Sequence, residues 1–345
     1  MNQLIEMEGI DKRFLGVHAL KGVRFDLREG EVHALVGENG AGKSTLMKVL
    51  TGIHQPDGGT IRYLGEPYAV KNIGESQERG ISMIHQELNM MNDLTVAQNI
   101  FIGREKMSGG GWIDDGAMIK ESEQLFRHIG IRIDPKMKLG NLTVGKQQMV
   151  EIAKAISRKC RVLILDEPTA ALTQTEIDDL FRIMGELKQK GIGMIYISHR
   201  MDEIKKISDR ITVIRDGEYV DTVNTAEVSK DQIINMMIGR VVYEDPKTHS
   251  EVPEDAPVVL EVKDLCRGKE IRNVSFKLRK GEILGFSGLM GAGRTEVARA
   301  IFGADRIDGG SIFVNGKQVR IRSPKDAFRY KIGMIHQHFK LVDVF

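Results

Sequence analysis

The residues best equipped for chemistry sit in one short run, GENGAGKST, made of Gly37, Glu38, Asn39, Gly40, Ala41, Gly42, Lys43, Ser44 and Thr45. Gly37 and Gly42 bracket four residues and lead into Lys43 and Ser44, the G-x-x-x-x-G-K-S spacing. Glycines at those points let the backbone curl until successive N–H groups aim at phosphate oxygens. Lys43 then suits the β- and γ-phosphates of a nucleotide, and the Ser44 hydroxyl suits Mg²⁺. An acidic pair ends the apolar run Val162–Leu165: Asp166 is placed to hold Mg²⁺ through its water shell, and Glu167 to orient or deprotonate an attacking water. His199 follows the apolar run Met194–Ile197. It reads either as a satisfied core histidine or, at the carboxyl end of a parallel strand, as a γ-phosphate contact.

Those groups converge only if strands carry them to one edge. Val32–Val36 (VHALV) reads as a buried strand ahead of the loop, with a helix over Ser44–Leu50 behind it. Val162–Leu165 and Met194–Ile197 are two further short strands, and Val150–Ser157 and Glu176–Lys188 are helical. Short apolar strands alternating with helices predict an α/β fold with a mainly parallel sheet covered on both faces.

The loop occurs twice. GLMGAGRTE places Gly288, Gly293, Arg294 and Thr295 where the first run has Gly37, Gly42, Lys43 and Ser44, a shift of 251 positions. Gln86 and Gln337 repeat at that shift, and so do Gly30-Glu31 and Gly281-Glu282. One offset shared by three anchors indicates a duplicated domain. The expected division is residues 1–240, a linker over 241–257 centred on the proline- and acid-rich Tyr243–Pro257, and a partial second copy over 258–345. Within that copy, Ser311–Val314 is expected to expose an apolar strand edge.

Composition narrows the class. Fifty Lys and Arg against 48 Asp and Glu give a net charge of +2, which disfavours a dedicated nucleic-acid binder. Two cysteines, Cys160 and Cys266, fit a reducing compartment better than a disulfide scaffold. The N-terminal residues lack a signal-peptide layout, and no stretch nears the ~20 apolar residues of a membrane span. A cytosolic protein is expected, with any membrane role reached through a partner.

The ordered set GENGAGKST, IHQE, LTVGKQQ, LDEPTAAL and ISHR resembles the ATP-binding cassette family, and the duplicated layout resembles its tandem-cassette sugar-importer branch. The resemblance implies a P-loop cassette with an antiparallel β subdomain and a helical subdomain, using ATP and Mg²⁺. It implies that Gln86 senses Mg²⁺ and the lytic water, and that Phe14 stacks on adenine, although Phe14 reads equally as a core aromatic. Leu142, Thr143, Val144, Gly145, Lys146 and Gln147 stand where the family has its signature, with Val144 replacing a glycine and Lys146 a glutamine; Thr143 also reads as a helix cap. Thr173 stands where many cassettes carry an aspartate. The implied partners are membrane permease subunits, indirectly a periplasmic or extracellular solute-binding protein, and a second cassette, from another copy of this chain or another polypeptide. The implied place is the cytoplasmic face of the membrane.

The second copy is degenerate on this reading. Arg294 keeps a charge in a bulkier planar head, and Glu296 adds a negative one. Residues 258–345 carry no signature, second acidic pair or second histidine of the ISHR type, so the copy reads as truncated or recombined. Two rival functions remain at this stage: a translation or repair ATPase built on the same cassette, and a non-catalytic regulatory subunit.

Overall fold

The computed structural model describes residues 2–84, 90–170, 172–239, 252–253, 255–288 and 292–335. The chain divides into two compact units, Met1–Tyr243 and Glu244–Phe345.

The first unit opens with β1 (Gln3–Phe14) and β2 (Val17–Arg28), a long antiparallel pair. Then follow β3 (Val32–Val36), α1 (Lys43–Leu50), β4 (Gly58–Tyr63), β5 (Glu66–Pro67), α2 (Ile73–Glu78) and β6 (Ile81–Ile84). Three helices come next, α3 (Val96–Phe101), α4 (Asp115–His128) and α5 (Val144–Ile156). The unit ends with β7 (Val162–Asp166), α6 (Gln174–Gln189), β8 (Gly193–Ile197), α7 (Met201–Ile207), β9 (Arg210–Arg215), β10 (Glu218–Asn224) and α8 (Lys230–Ile238).

Two sheets result. An antiparallel sheet runs β2-β1-β4-β5. The second runs β10-β9-β3-β8-β7-β6, parallel throughout except for β10. In it β3 is buried at all five positions, held between β8 and β9. One apolar cluster lies between this sheet and α3, α5 and α6, and another between it, α1 and the antiparallel sheet. Apolar runs without alternation suit such doubly covered strands.

Arg210 fastens the two sheets together. Its guanidinium donates to Glu31 Oε1 at 2.6 Å and to Asp26 Oδ2 at 2.6 Å. Two hydrogen-bonded carboxylates raise its pKa against the opposing effect of burial. His33, inside β3, meets Thr212 Oγ1 at 2.7 Å, and burial lowers its pKa to about 4, so it is neutral at physiological pH.

The second unit contains β11 (Val258–Arg267), β12 (Ile271–Arg279), α9 (Arg294–Ile301), β13 (Gly309–Val314), β14 (Lys317–Val319) and α10 (Pro324–Arg329). Its sheet order, β12-β11-β13-β14, reproduces β2-β1-β4-β5. The bounds of α9, β13 and α10 are those of α1, β4 and α2 moved by 251 residues. Even the strand-end turn is copied: Arg28 N–H donates to Glu31 Oε2 at 2.7 Å, and Arg279 N–H to Glu282 Oε2 at 2.6 Å.

Two features depart from sequence expectation. Ser311–Val314 is not an edge, because β13 lies between β11 and β14. The unpaired apolar stretch is instead Ile283–Ser287, at the positions of β3, where all five residues are exposed and form no strand. Among the described residues, no helix is long and apolar enough to cross a membrane.

Candidate functional site

β3 delivers the chain to Gly37, where packing forbids a side chain. A Cβ there would lie 2.2 Å from the carbonyl oxygen of Ile214 in β9. Gly42, the residue before α1, has φ 101°, a left-handed conformation, and a Cβ on it would meet the Ala19 carbonyl oxygen at 2.8 Å. The loop is closed by Ala41 N–H to Glu38 O at 3.1 Å and fixed from outside by Gly217 N–H to Ala41 O at 3.2 Å.

Lys43 reaches back across this loop, its ammonium donating to the carbonyls of Gly37 and Glu38 at 2.8 and 2.9 Å. Burial pushes its pKa down, while the nearby Glu167 and Asp166 carboxylates hold it up. Glu38, Asn39, Gly40 and Ser44 face solvent, and Thr45 is half-buried. The loop thus presents backbone and a tethered cation at the open end of the sheet.

Asp166 closes β7, and Ser44 Oγ donates to its Oδ2 at 3.4 Å. Two hard oxygen donors from different elements suit Mg²⁺, which binds few protein oxygens and keeps water or phosphate for the rest. Among the described residues no group of three or more His, Cys, Asp or Glu side chains converges on a metal position, in keeping with that sparse donor set.

Glu167 takes a left-handed φ of 47°, a strained conformation for a side-chain-bearing residue. Its N–H donates to Ile197 O at 2.9 Å, and its Oε1 lies 3.0 Å from His199 Nδ1. The His199 side chain is 65% exposed, which rules out the core-histidine reading. Below this pair lies a buried network that sequence reasoning missed. Tyr196 OH and Thr169 Oγ1 both donate to Glu203 Oε2 at 2.7 Å, and Arg200 pairs with Oε1. It ties the segment after β7 to the one after β8, and so holds Glu167 opposite His199. The available signal was Tyr196 itself, a phenol inside an apolar strand that needs a buried acceptor.

Phe14, 41% exposed, is not a core aromatic. It meets the edge of His54 at 5.1 Å, and Lys12 Nζ lies 5.6 Å from its ring centre.

The segment Leu142–Gln147 lies at the start of α5. Thr143 caps the helix, accepting from Lys146 N–H at 3.4 Å, and donates to Glu176 Oε1 at 2.8 Å. Gly145 lies beneath that glutamate: a Cβ there would come 2.3 Å from Glu176 Cδ and would have to displace that side chain. Glu176 also completes a capping box with Thr173 at the start of α6. Val144 and Lys146 are exposed, and Gln147 donates to the carbonyls of Leu139 and Leu142. Among the described residues, no hydrogen bond or ion pair joins residues 142–147 to residues 37–45. The structure thus brings Lys43, Ser44, Asp166, Glu167 and His199 together and leaves residues 142–147 apart. Gln86 and Gln337 lie outside the described residues.

In the second unit Gly293 has φ 83° and starts α9 as Gly42 starts α1. Gly288 meets less resistance than Gly37: its Cβ would approach Ala292 Cβ at 3.0 Å and the Arg294 side chain at 3.8 Å, with no backbone oxygen of the described residues in reach. Arg294 and Thr295 are exposed.

A family model described as ABC transporter matches residues 20–170 and 271–344, two stretches whose starts differ by the same 251 positions. The putative ribose/galactose/methyl galactoside import ATP-binding protein 3 of Burkholderia ambifaria is 55% identical over 342 residues, covering 98% of this chain and 66% of that protein. A protein of the same name type from Geobacillus kaustophilus is 47% identical over 346 residues, 99% of this chain and 68% of its own length. The chain therefore spans about two-thirds of the length of these curated relatives. Among solved structures, cbiO1 from Clostridium perfringens, part of an ABC transporter complex, aligns with a TM-score of 0.59 at 27% identity over 68% of this chain and 93% of that one. The ADP conformation of MJ1267, an ATP-binding cassette, aligns with a TM-score of 0.58 at 27% identity over 68% and 94%.

Proposed function

The chain belongs to the ABC transporter family, and from that premise we propose that it hydrolyses ATP to drive import of a sugar-like solute through separate permease subunits. The observation that carries the chemistry is the meeting of Ser44, Asp166, Glu167 and His199 at one end of a parallel sheet, beside the Lys43 loop. Ligands bind at that end of such sheets.

The loop N–H groups and Lys43 hold the β- and γ-phosphates in line with the attacking water. Ser44 and Asp166 would hold Mg²⁺, which when bound neutralises charge on the β- and γ-phosphate oxygens. Glu167 accepts a proton from the water as its oxygen bonds to the γ-phosphorus. The bond from phosphorus to the β–γ bridging oxygen breaks, and ADP leaves with that oxygen. His199 Nδ1 fixes the direction of the Glu167 carboxylate. Phe14 is the exposed ring available to adenine, and Gln86 is assigned to the water-sensing role.

The solute class follows from the relatives, whose names specify ribose, galactose and methyl galactoside. The same reading gives a peripheral protein on the cytoplasmic face of the membrane, partnered by permease subunits, indirectly by a solute-binding protein, and by a second cassette that supplies a signature segment in trans. The second unit serves as a degenerate nucleotide site. Nucleic acid is not a partner, in keeping with the near-neutral charge. The test is uptake of labelled ribose and galactose by vesicles holding the cognate permease, with wild-type chain or Glu167→Gln inside. Mg-ATP-dependent uptake lost in the variant supports the reading. Uptake indifferent to the variant, or ATP turnover without coupling to either sugar, contradicts it.

A further inference from the structure

Away from the nucleotide site, one cleft occurs in both units, and its lining has changed character between them. In the first unit it is about 310 Å³, formed where β4 and β5 meet the segment after α1. Gln55, Pro67 and Ala69 border it, and Gln55 Nε2 donates to the Val70 carbonyl at 2.8 Å, drawing its walls together. The second unit places the same positions, moved by 251 residues, around a cavity of about 860 Å³. There Gln55 has become Arg306, Pro67 has become Gln318 and Ala69 has become Arg320, and Arg322 joins the lining.

Three exposed arginines therefore line one concavity. The wall also holds one carboxylate, Asp308, whose Oδ2 accepts from Gly268 N–H at 2.6 Å, which leaves the arginines in excess by two charges. Arginines added only for solubility have no reason to cluster around a cleft, because like charges held close together repel. The repeat supplies an internal control: strands and register are shared, Arg306 and Arg320 are new together with the larger volume, and Arg322 keeps the positive charge that Lys71 has in the first unit.

We propose that this cleft binds a small phosphomonoester. Arginine forks match phosphate oxygens two at a time and stay charged at any physiological pH. Ser311 Oγ and Gln318, which hydrogen-bond to each other at 3.1 Å, supply exchangeable partners for hydroxyls on the rest of the ligand. The volume is that of an ordinary small-molecule site and exceeds the need of a bare phosphate. The inference does not depend on whether the chain powers import.

The test is equilibrium dialysis of labelled ribose 5-phosphate against the full chain carrying Lys43→Ala, which silences the first phosphate loop. Saturable binding of one equivalent is expected, with free ribose failing to compete. Arg320→Gln should weaken binding about tenfold or more, and Arg306→Gln with Arg320→Gln should abolish it. Arg320→Lys should fall between wild type and Arg320→Gln, since it keeps the charge and loses the fork. Unchanged circular dichroism and melting temperature in these exposed-site variants separate lost binding from lost folding. Absence of saturable binding at millimolar ligand, or binding indifferent to both arginines, overturns the proposal. Inorganic phosphate or sulfate competing as well as ribose 5-phosphate also overturns it, leaving an adventitious ion only.

Discussion

Residues 32–36 and residues 283–287 occupy the same place in a repeated frame, yet one segment is a fully buried strand and the other lies exposed without pairing. Local composition does not separate them, since VHALV and ILGFS are both largely apolar. The partners do. β3 is held by β8 and β9, supplied more than 150 residues downstream, and among the described residues the second unit has no strands in those roles. Strand formation here is tertiary: unpaired backbone groups and one-sided burial do not sustain an isolated strand.

The consequence reaches the phosphate loop. In the first unit β9 is also the wall behind Gly37, its Ile214 carbonyl standing where a Cβ would go, while the turn after β9 holds the loop through Gly217. In the second unit the helix and its left-handed glycine are kept, but among the described residues no such wall stands at Gly288. Asp166 and Glu167 stand at the end of β7 and His199 follows β8, strands that likewise have no counterpart among the described residues of the second unit. A loop sequence can thus be copied while the scaffold that aims it, and the acids that act with it, are not.

The largest expected effect sharpens the chemical side of this contrast. Glu167→Gln should slow single-turnover hydrolysis by roughly 10²–10⁴-fold while leaving ATP binding intact, because the near-isosteric amide still fills the site but accepts no proton. Rapid-quench measurement of one turnover checks it. The corresponding question cannot be posed for residues 258–345, which contain no equivalent acid pair.

A second prediction uses pH. His33 is neutral in the fold, with a pKa pushed down to about 4 chiefly by burial, while Leu284 stands at the matching position. The unfolded chain binds a proton near the ordinary value of 6.5 and the folded one does not. The stability is therefore fully present above that value and is lost as pH falls towards 4, by about 3 kcal/mol at most. Hydrogen exchange read on β3 and its neighbours should show this acid sensitivity, exchange on β11 and β13 should lack this histidine's contribution, and His33→Leu should flatten the profile in the first unit. An unchanged slope in that variant would remove His33 from the account.

A smaller effect probes the wall directly. Gly37→Ala should destabilise the first unit by about 1–3 kcal/mol, because a rigid backbone oxygen cannot move aside cheaply. Gly288→Ala should cost about 1 kcal/mol or less, since Ala292 Cβ at 3.0 Å need give by only a few tenths of an ångström. Thermal melts of the two variants, read with exchange in each unit, test the ranking.

Much of this was legible in the sequence because it depended on local type and spacing. GENGAGKST, the strand-ending Asp166-Glu167 and His199, two residues after MIYI, all take their positions from neighbours in the chain, and the structure gathers them. The 251-residue offset likewise transferred directly to helix and strand bounds. What escaped depended on distant partners. The exposed state of Ile283–Ser287 reflects missing neighbours, the interior place of β13 reflects its pairing with β11, and the Glu203 network joins residues 34 positions apart at its Thr169 end. Phe14 had two readings because aromatic type alone does not say which side of a strand end faces solvent.

The first phosphate loop is organised for nucleotide and the second is not. Titration of the full chain with a fluorescent ATP analogue in Mg²⁺ tests it most directly, on wild type, Lys43→Ala and Arg294→Ala. One tight site per chain is expected, abolished by Lys43→Ala and changed no more than about threefold by Arg294→Ala. Two equivalent tight sites, or equal losses from the two substitutions, would contradict it.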